Sequence, residues 1–213
     1  MPAPQVKICG LKTPDALDAV VKARADYGGL VFHPPSPRNL TPSEAATLSQ
    51  RAEGRVRLVG LFVNASDETL AEIVGAATLS ALQFQGSESP ERVAQISARF
   101  GLPVWKALPV AGPSDVARAD AYKGAADLVL FDAKTPKGTL PGGMGLSFDW
   151  SLLSGLKTGF AWGLAGGLTS DNVGKAITQT GAPLVDVSSG VESAPGVKDV
   201  DRIAAFCKAA LAL

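Results

Sequence analysis

The sequence predicts an α/β fold, a (β/α)₈ TIM barrel in a single domain over residues 1–213. Short apolar runs alternate with helix-start signals along the whole chain, and eight such runs are found. The 213 residues also sit near the small end of the barrel range, roughly 200 to 400 residues. An open doubly wound sheet is the competing architecture. It usually has fewer strands and a glycine-rich dinucleotide turn after the first one, whereas this chain reads CGLKTPD there.

The strand candidates are QVKIC (5–9), YGGLVF (27–32), VRLVGLFV (56–63), LSALQF (79–84), PVWKAL (103–108), DLVLF (127–131), FAWGLA (160–165) and LVDVS (184–188). Continuous apolar runs of this length read as strands buried on both faces, as in a parallel sheet. Thr13-Pro14-Asp15 and Ser89-Pro90-Glu91 each offer a capping side chain, a proline for the first helical position and an early acid. Thr41-Pro42-Ser43-Glu44 fits a capping box. Ser66-Asp67-Glu68 and Thr169-Ser170-Asp171 mark two more helix starts, and the last helix carries Ile203, Phe206, Cys207 and Ala210 along one stripe.

Lys plus Arg and Asp plus Glu are 20 each, which argues against a nucleic-acid partner. No apolar stretch approaches the ~18 residues needed to span a bilayer, and the N-terminus lacks the pattern of a secretory signal. A cytoplasmic protein without a membrane partner is therefore expected. Cys9 and Cys207, the only two cysteines, form neither a disulfide framework nor a zinc spacing. A monomer is the default expectation, with a homodimer left open.

A barrel of this kind places function on the loops that follow the strands. Cys9, Arg38, Gln85, Asp132, Gly166-Gly167 and Ser188 to Gly190 then share one rim. LAGGLTSDNV and VDVSSGVES occupy the slots after strands 7 and 8, where barrels often bind phosphate. Glycine backbone and unpaired N–H groups suit an anion. Asp132 ends strand 6 before a loop of about fifteen residues, read as a lid. A carboxylic acid in such a mouth is a candidate proton donor. A free thiol titrates near ~8.5 and a neighbouring cation lowers that value. Lys7 shares a strand face with Cys9 and supplies such a cation, unless it pairs instead with Asp186 on strand 8. Arg38, in a loop stiffened by Pro34, Pro35 and Pro37, is preorganised to grip a carboxylate or phosphate. His33 is the only histidine, so neither a serine triad nor a histidine metal cluster can be assembled; it reads as loop packing or rim solvation.

KICGL, GLVFHPPSPRNL, LVGLFVN, LVLFDAKTP, GGMGLSFDW, LAGGLTSDNV and VDVSSGVESAPGVKD together resemble the phosphoribosylanthranilate isomerase family. The resemblance runs from residue 6 to the C-terminal helix. It implies an Amadori rearrangement in tryptophan biosynthesis on a small phosphosugar substrate, without metal or cofactor. It also implies Asp132 as general acid, Cys9 as general base and Arg38 on the anthranilate carboxylate. Gly166, Gly167, Ser189 and Gly190 become the phosphate cradle; Lys7, Asp186 and Gln85 are expected as supporting residues from their positions at the rim and beneath it. Two places depart from the family pattern: Gln85 stands where a histidine is usual, and Met144 and Leu146 replace a hydroxyl and a lysine. Two other readings are an indole-glycerol-phosphate-forming barrel, which needs a lysine acid in the mouth, and a phosphometabolite-binding protein without catalysis.

Overall fold

Apolar runs that are buried on both faces can only be satisfied inside a layered structure, and here they close on themselves. The computed structural model describes residues 3–135 and 143–212. Much of the expected lid, 136–142, lies outside them. The strands are β1 (Gln5–Cys9), β2 (Tyr27–Phe32), β3 (Arg57–Phe62), β4 (Ala81–Phe84), β5 (Val104–Val110), β6 (Leu128–Ala133), β7 (Ala161–Leu164) and β8 (Leu184–Val187). They form a closed parallel barrel in sequence order, β8 pairing with β1. The register at that seam sets Lys7 beside Asp186.

The helices form an outer ring: α1 (Pro14–Lys22), α2 (Pro42–Ala52), α3 (Asp67–Ala76), α4 (Pro90–Phe100), α5 (Pro113–Ala117), α6 (Val173–Thr180) and α7 (Val200–Leu211). The expected caps are in place. Thr13, Thr41, Ser66 and Ser89 each accept from a first-turn backbone N–H, and Glu44 completes the capping box at Thr41. Outward-facing strand residues pack under this ring, as in the stack Phe32, Phe62, Phe84, with centroids 5.2 and 5.9 Å apart.

Three local features depart from or go beyond the sequence reading. The helix after β7 begins at Val173, not Thr169. Asn172 accepts from Thr169 N–H (2.8 Å) and donates to the Gly167 carbonyl (2.9 Å), so these side-chain bonds hold 169–172 as a turn. After β6 the described residues form only a 3₁₀ turn, Trp150–Leu153. The chain also folds a short hairpin after β8, β9 (Glu192–Ala194) with β10 (Val197–Lys198), which hydrophobic patterning does not announce.

The barrel interior is layered by polarity. Tyr27, Val59, Trp105, Leu128, Leu130 and Leu184 contribute to an apolar plug. Lys7, Gln83 and Asp186 are buried polar residues on β1, β4 and β8, and Cys9, Val31 and Leu61 form a small cluster with Val63.

Candidate active site

A cavity of about 800 Å³, counted through its open mouth, lies at the carboxyl ends of the strands. One part of its wall carries Cys9, Arg38, Gln85, Asp132 and Asp186. Another is built from Gly166, Gly167, Ser189 and Gly190, and His33 also lines the space. Of the candidate site residues, Lys7 alone is absent from the wall, being fully buried.

The end of β1 carries Lys7 and Cys9 on one face. Lys7 Nζ donates to Asp186 Oδ2 at 2.9 Å, so the ion pair with Asp186 is present. Burial alone would lower the Lys7 pKa, but Asp186 and Cys9 outweigh it and the net direction is upward. The Cys9 thiol is pushed up by burial, aided by Asp186, against the downward pull of Lys7 and Lys198. Lys7 thus opposes the upward push on Cys9 without overcoming it. Gly29 on β2 gives the thiol its room, since a Cβ there would come within 2.8 Å of Cys9 Sγ.

Asp132 ends the buried run of β6. Burial, aided by repulsion from Asp186, pushes its pKa up to about 6. Against that shift, Ala133 N–H donates to Oδ1 (2.8 Å) and Gln85 Nε2 to Oδ2 (2.7 Å). Gln83 Nε2 in turn donates to Gln85 Oε1 at 3.0 Å. The Gln85 amide is held by this relay with its donor end toward the carboxylate.

Arg38 is 6 % exposed although it sits in a loop. Its Nε and Nη2 donate to the two oxygens of Glu192 at 2.8 and 2.7 Å. Lys198 Nζ reaches Glu192 Oε1 at 2.7 Å and the Ser188 carbonyl at 2.9 Å. Gly166 and Gly167 have φ of +87° and +63°, a region L side chains rarely enter. A Cβ on Gly190 would meet the Leu168 carbonyl oxygen at 1.9 Å. Among the described residues, the N–H groups of Gly167, Leu168, Ser189 and Gly190 have no hydrogen-bond partner, leaving donors that an anion can use.

Glu192, Lys198 and Gln83 received no role from the sequence, and Ser188, placed only on the rim, donates its hydroxyl to the Cys9 carbonyl at 3.1 Å. Glu192 and Lys198 do stand inside the VESAPGVKD signature, the one signal that marked them.

The family description "N-(5'phosphoribosyl)anthranilate (PRA) isomerase" matches residues 6–209. An N-(5'-phosphoribosyl)anthranilate isomerase of Paramagnetospirillum magneticum is 55% identical over 207 residues, covering 97% of this chain and 96% of the relative. The crystal structure of the Thermotoga maritima phosphoribosyl anthranilate isomerase superposes with a TM-score of 0.89 at 37% identity, covering 99% of this chain and 100% of that one. A further structure of such an isomerase, in complex with reduced 1-(o-carboxyphenylamino)-1-deoxyribulose 5-phosphate, gives a TM-score of 0.86 at 35% identity, with 99% and 100% covered. Fold, cavity and kinship agree, and the chain belongs to the N-(5'-phosphoribosyl)anthranilate isomerase family.

Proposed function

We propose that this chain, acting as one catalytic domain, isomerises N-(5-phosphoribosyl)anthranilate to 1-(2-carboxyphenylamino)-1-deoxyribulose 5-phosphate, a step of tryptophan biosynthesis, with Asp132 as acid and Cys9 as base. The carrying observation is one cavity whose wall holds a carboxyl group with a pKa near neutrality, a thiol and an array of unpaired N–H donors. Protonated Asp132 gives its proton to the furanose ring oxygen. The substrate nitrogen's lone pair forms the C=N bond as the C1–O bond breaks, giving an open-chain Schiff base. Cys9, as thiolate, takes the proton from C2, and those electrons shift to neutralise the iminium. The resulting enolamine tautomerises to the ketone, so atoms and charge balance without an added reactant. Phosphate at the 166–168 and 188–190 backbone and the anthranilate carboxylate at Arg38 fix the sugar between acid and base.

Incubation of the purified protein with freshly made phosphoribosylanthranilate tests this, read as loss of substrate fluorescence. Decay no faster than the spontaneous rate would leave a binding protein. Cys9→Ser and Asp132→Asn are each expected to cut kcat by ~10²–10⁴ with KM little changed, the usual contribution of a positioned acid or base. No helix among the described residues is long and apolar enough to cross a membrane. We assign the chain to the cytoplasm as a monomer. One Thermotoga maritima relative is described as dimeric, so light scattering decides between monomer and homodimer.

A further inference from the structure

Glu192 and Lys198 take no part in the proton transfers, yet both are almost fully buried beside the cavity. Their side chains are 4 % and 1 % exposed. Glu192 faces two cations, Arg38 at 2.7 Å and Lys198 at 2.7 Å. A buried carboxylate between two buried cations leaves one positive charge in excess. The Lys198 ammonium has an acceptor for each of its three N–H bonds: Glu192 Oε1, the Ser188 carbonyl and Ser188 Oγ (2.7, 2.9 and 3.3 Å). That arrangement suits the protonated form. Lys198 does not line the cavity, whereas Arg38 does.

The guanidinium is fixed edge by edge. Nε and one Nη2 bond go to Glu192, and Nη2 also donates to the Gly143 carbonyl at 3.2 Å. Nη1 makes no hydrogen bond among the described residues. A Cβ at Gly143 would come within 2.5 Å of it, so only a glycine fits against that edge. With Glu192 alone, Arg38 would be a neutral pair, rigid but with little attraction for an anion.

We propose that Glu192 and Lys198 are positioning residues that turn Arg38 into a carboxylate receptor, Glu192 setting the guanidinium plane and Lys198 restoring the positive charge that Glu192 cancels. The inference rests on the reading of Arg38 as the carboxylate anchor, and extends it to a residue that never touches the ligand. Lys198 thereby becomes a determinant of specificity for carboxylate-bearing aryl amines.

The test is calorimetric binding of two probes: reduced 1-(2-carboxyphenylamino)-1-deoxyribulose 5-phosphate and the phenylamino counterpart that lacks the carboxylate. The wild type should prefer the first, and Arg38→Met should abolish that preference. Lys198→Met should lower it by roughly tenfold or more, the scale of losing one weakly screened charge nearby. Affinity for the carboxylate-free probe should stay within about twofold. The double variant Glu192→Gln/Lys198→Met, with Arg38 again the excess charge, should regain most of the preference. Lys198→Gln carries the same test if Lys198→Met does not fold. A full preference in the Lys198 variant, or a double variant no better than the single, overturns the inference while leaving Arg38 as anchor. An undiminished preference in Arg38→Met overturns both.

Discussion

At the scale of single residues, the site is a contest between burial and hydrogen bonding at two groups. For Asp132 burial wins, giving a pKa of about 6 even though Gln85 and Ala133 donate to it. The pH profile of kcat/KM should therefore contain an ionisation near pH 6. Removing the Gln85 donor with Gln85→Leu takes a stabilising bond from the carboxylate, so that ionisation should move to higher pH. The groups facing Asp132 are Asp186, whose loss would lower its pKa, and Lys7, whose loss would raise it. His33→Gln should leave the ionisation in place, which separates Asp132 from the chain's only histidine. For Cys9, Lys7 opposes the upward push of burial. Lys7→Met should accordingly raise the thiol pKa further, seen as slower alkylation at fixed pH. An unchanged alkylation rate would show that Lys7 serves only Asp186.

Secondary-structure elements report how much of this was readable in advance. Every barrel strand was legible because burial on both faces writes a mostly apolar run, and four helix starts were legible because their caps are local; the β9–β10 hairpin carries no such run. The start of α6 was not legible, because the Asn172 side chain binds back to Thr169 and Gly167 and holds 169–172 as a turn. Site residues that close strands, such as Cys9 and Asp132, could be given addresses from strand position alone. Glu192 could not, because its partner Arg38 lies 154 positions away and no periodicity relates the two. Elements also differ in what they contribute. Phe62 is the middle ring of the three-phenylalanine stack and is fully buried, so Phe62→Ala should cost ~3–5 kcal/mol in denaturant unfolding. Thr41→Ala, which removes one half of a capping box, should cost ~0.5–2 kcal/mol. The exposed pair Arg51–Asp18, with side chains 46 % and 41 % exposed, should be near neutral when broken.

For the molecule as a whole, the buried Asp132 carboxyl, the proposed acid, sets a price in stability. A carboxyl group whose folded pKa is raised favours the fold while protonated, and that contribution fades as pH climbs from the unfolded value, ~3.9, toward the folded one. The folded value is about 6, so above neutrality the wild type carries a penalty that an amide lacks. Asp132→Asn should match wild-type stability near pH 4 and exceed it by ~1–3 kcal/mol above pH 7, the open cavity mouth tempering the effect. Chemical denaturation at the two pH values measures this, and equal differences at both would remove burial as the cause of the raised pKa. The seam between β1 and β8 has a consequence for a chain still on the ribosome. Lys7 meets Asp186 only across 179 positions, which at ordinary synthesis rates is a wait of roughly 10–40 s. Until the eighth strand emerges, the first has no second neighbour and its lysine no counter-ion. Nascent chains that stop short of residue 186 can form helices and strand pairs, but they leave the barrel open, and the thiol of Cys9 stays within reach of any oxidant or alkylating agent. Closure of the last strand restricts access to that thiol to the mouth of the cavity, at the same step that completes the active site.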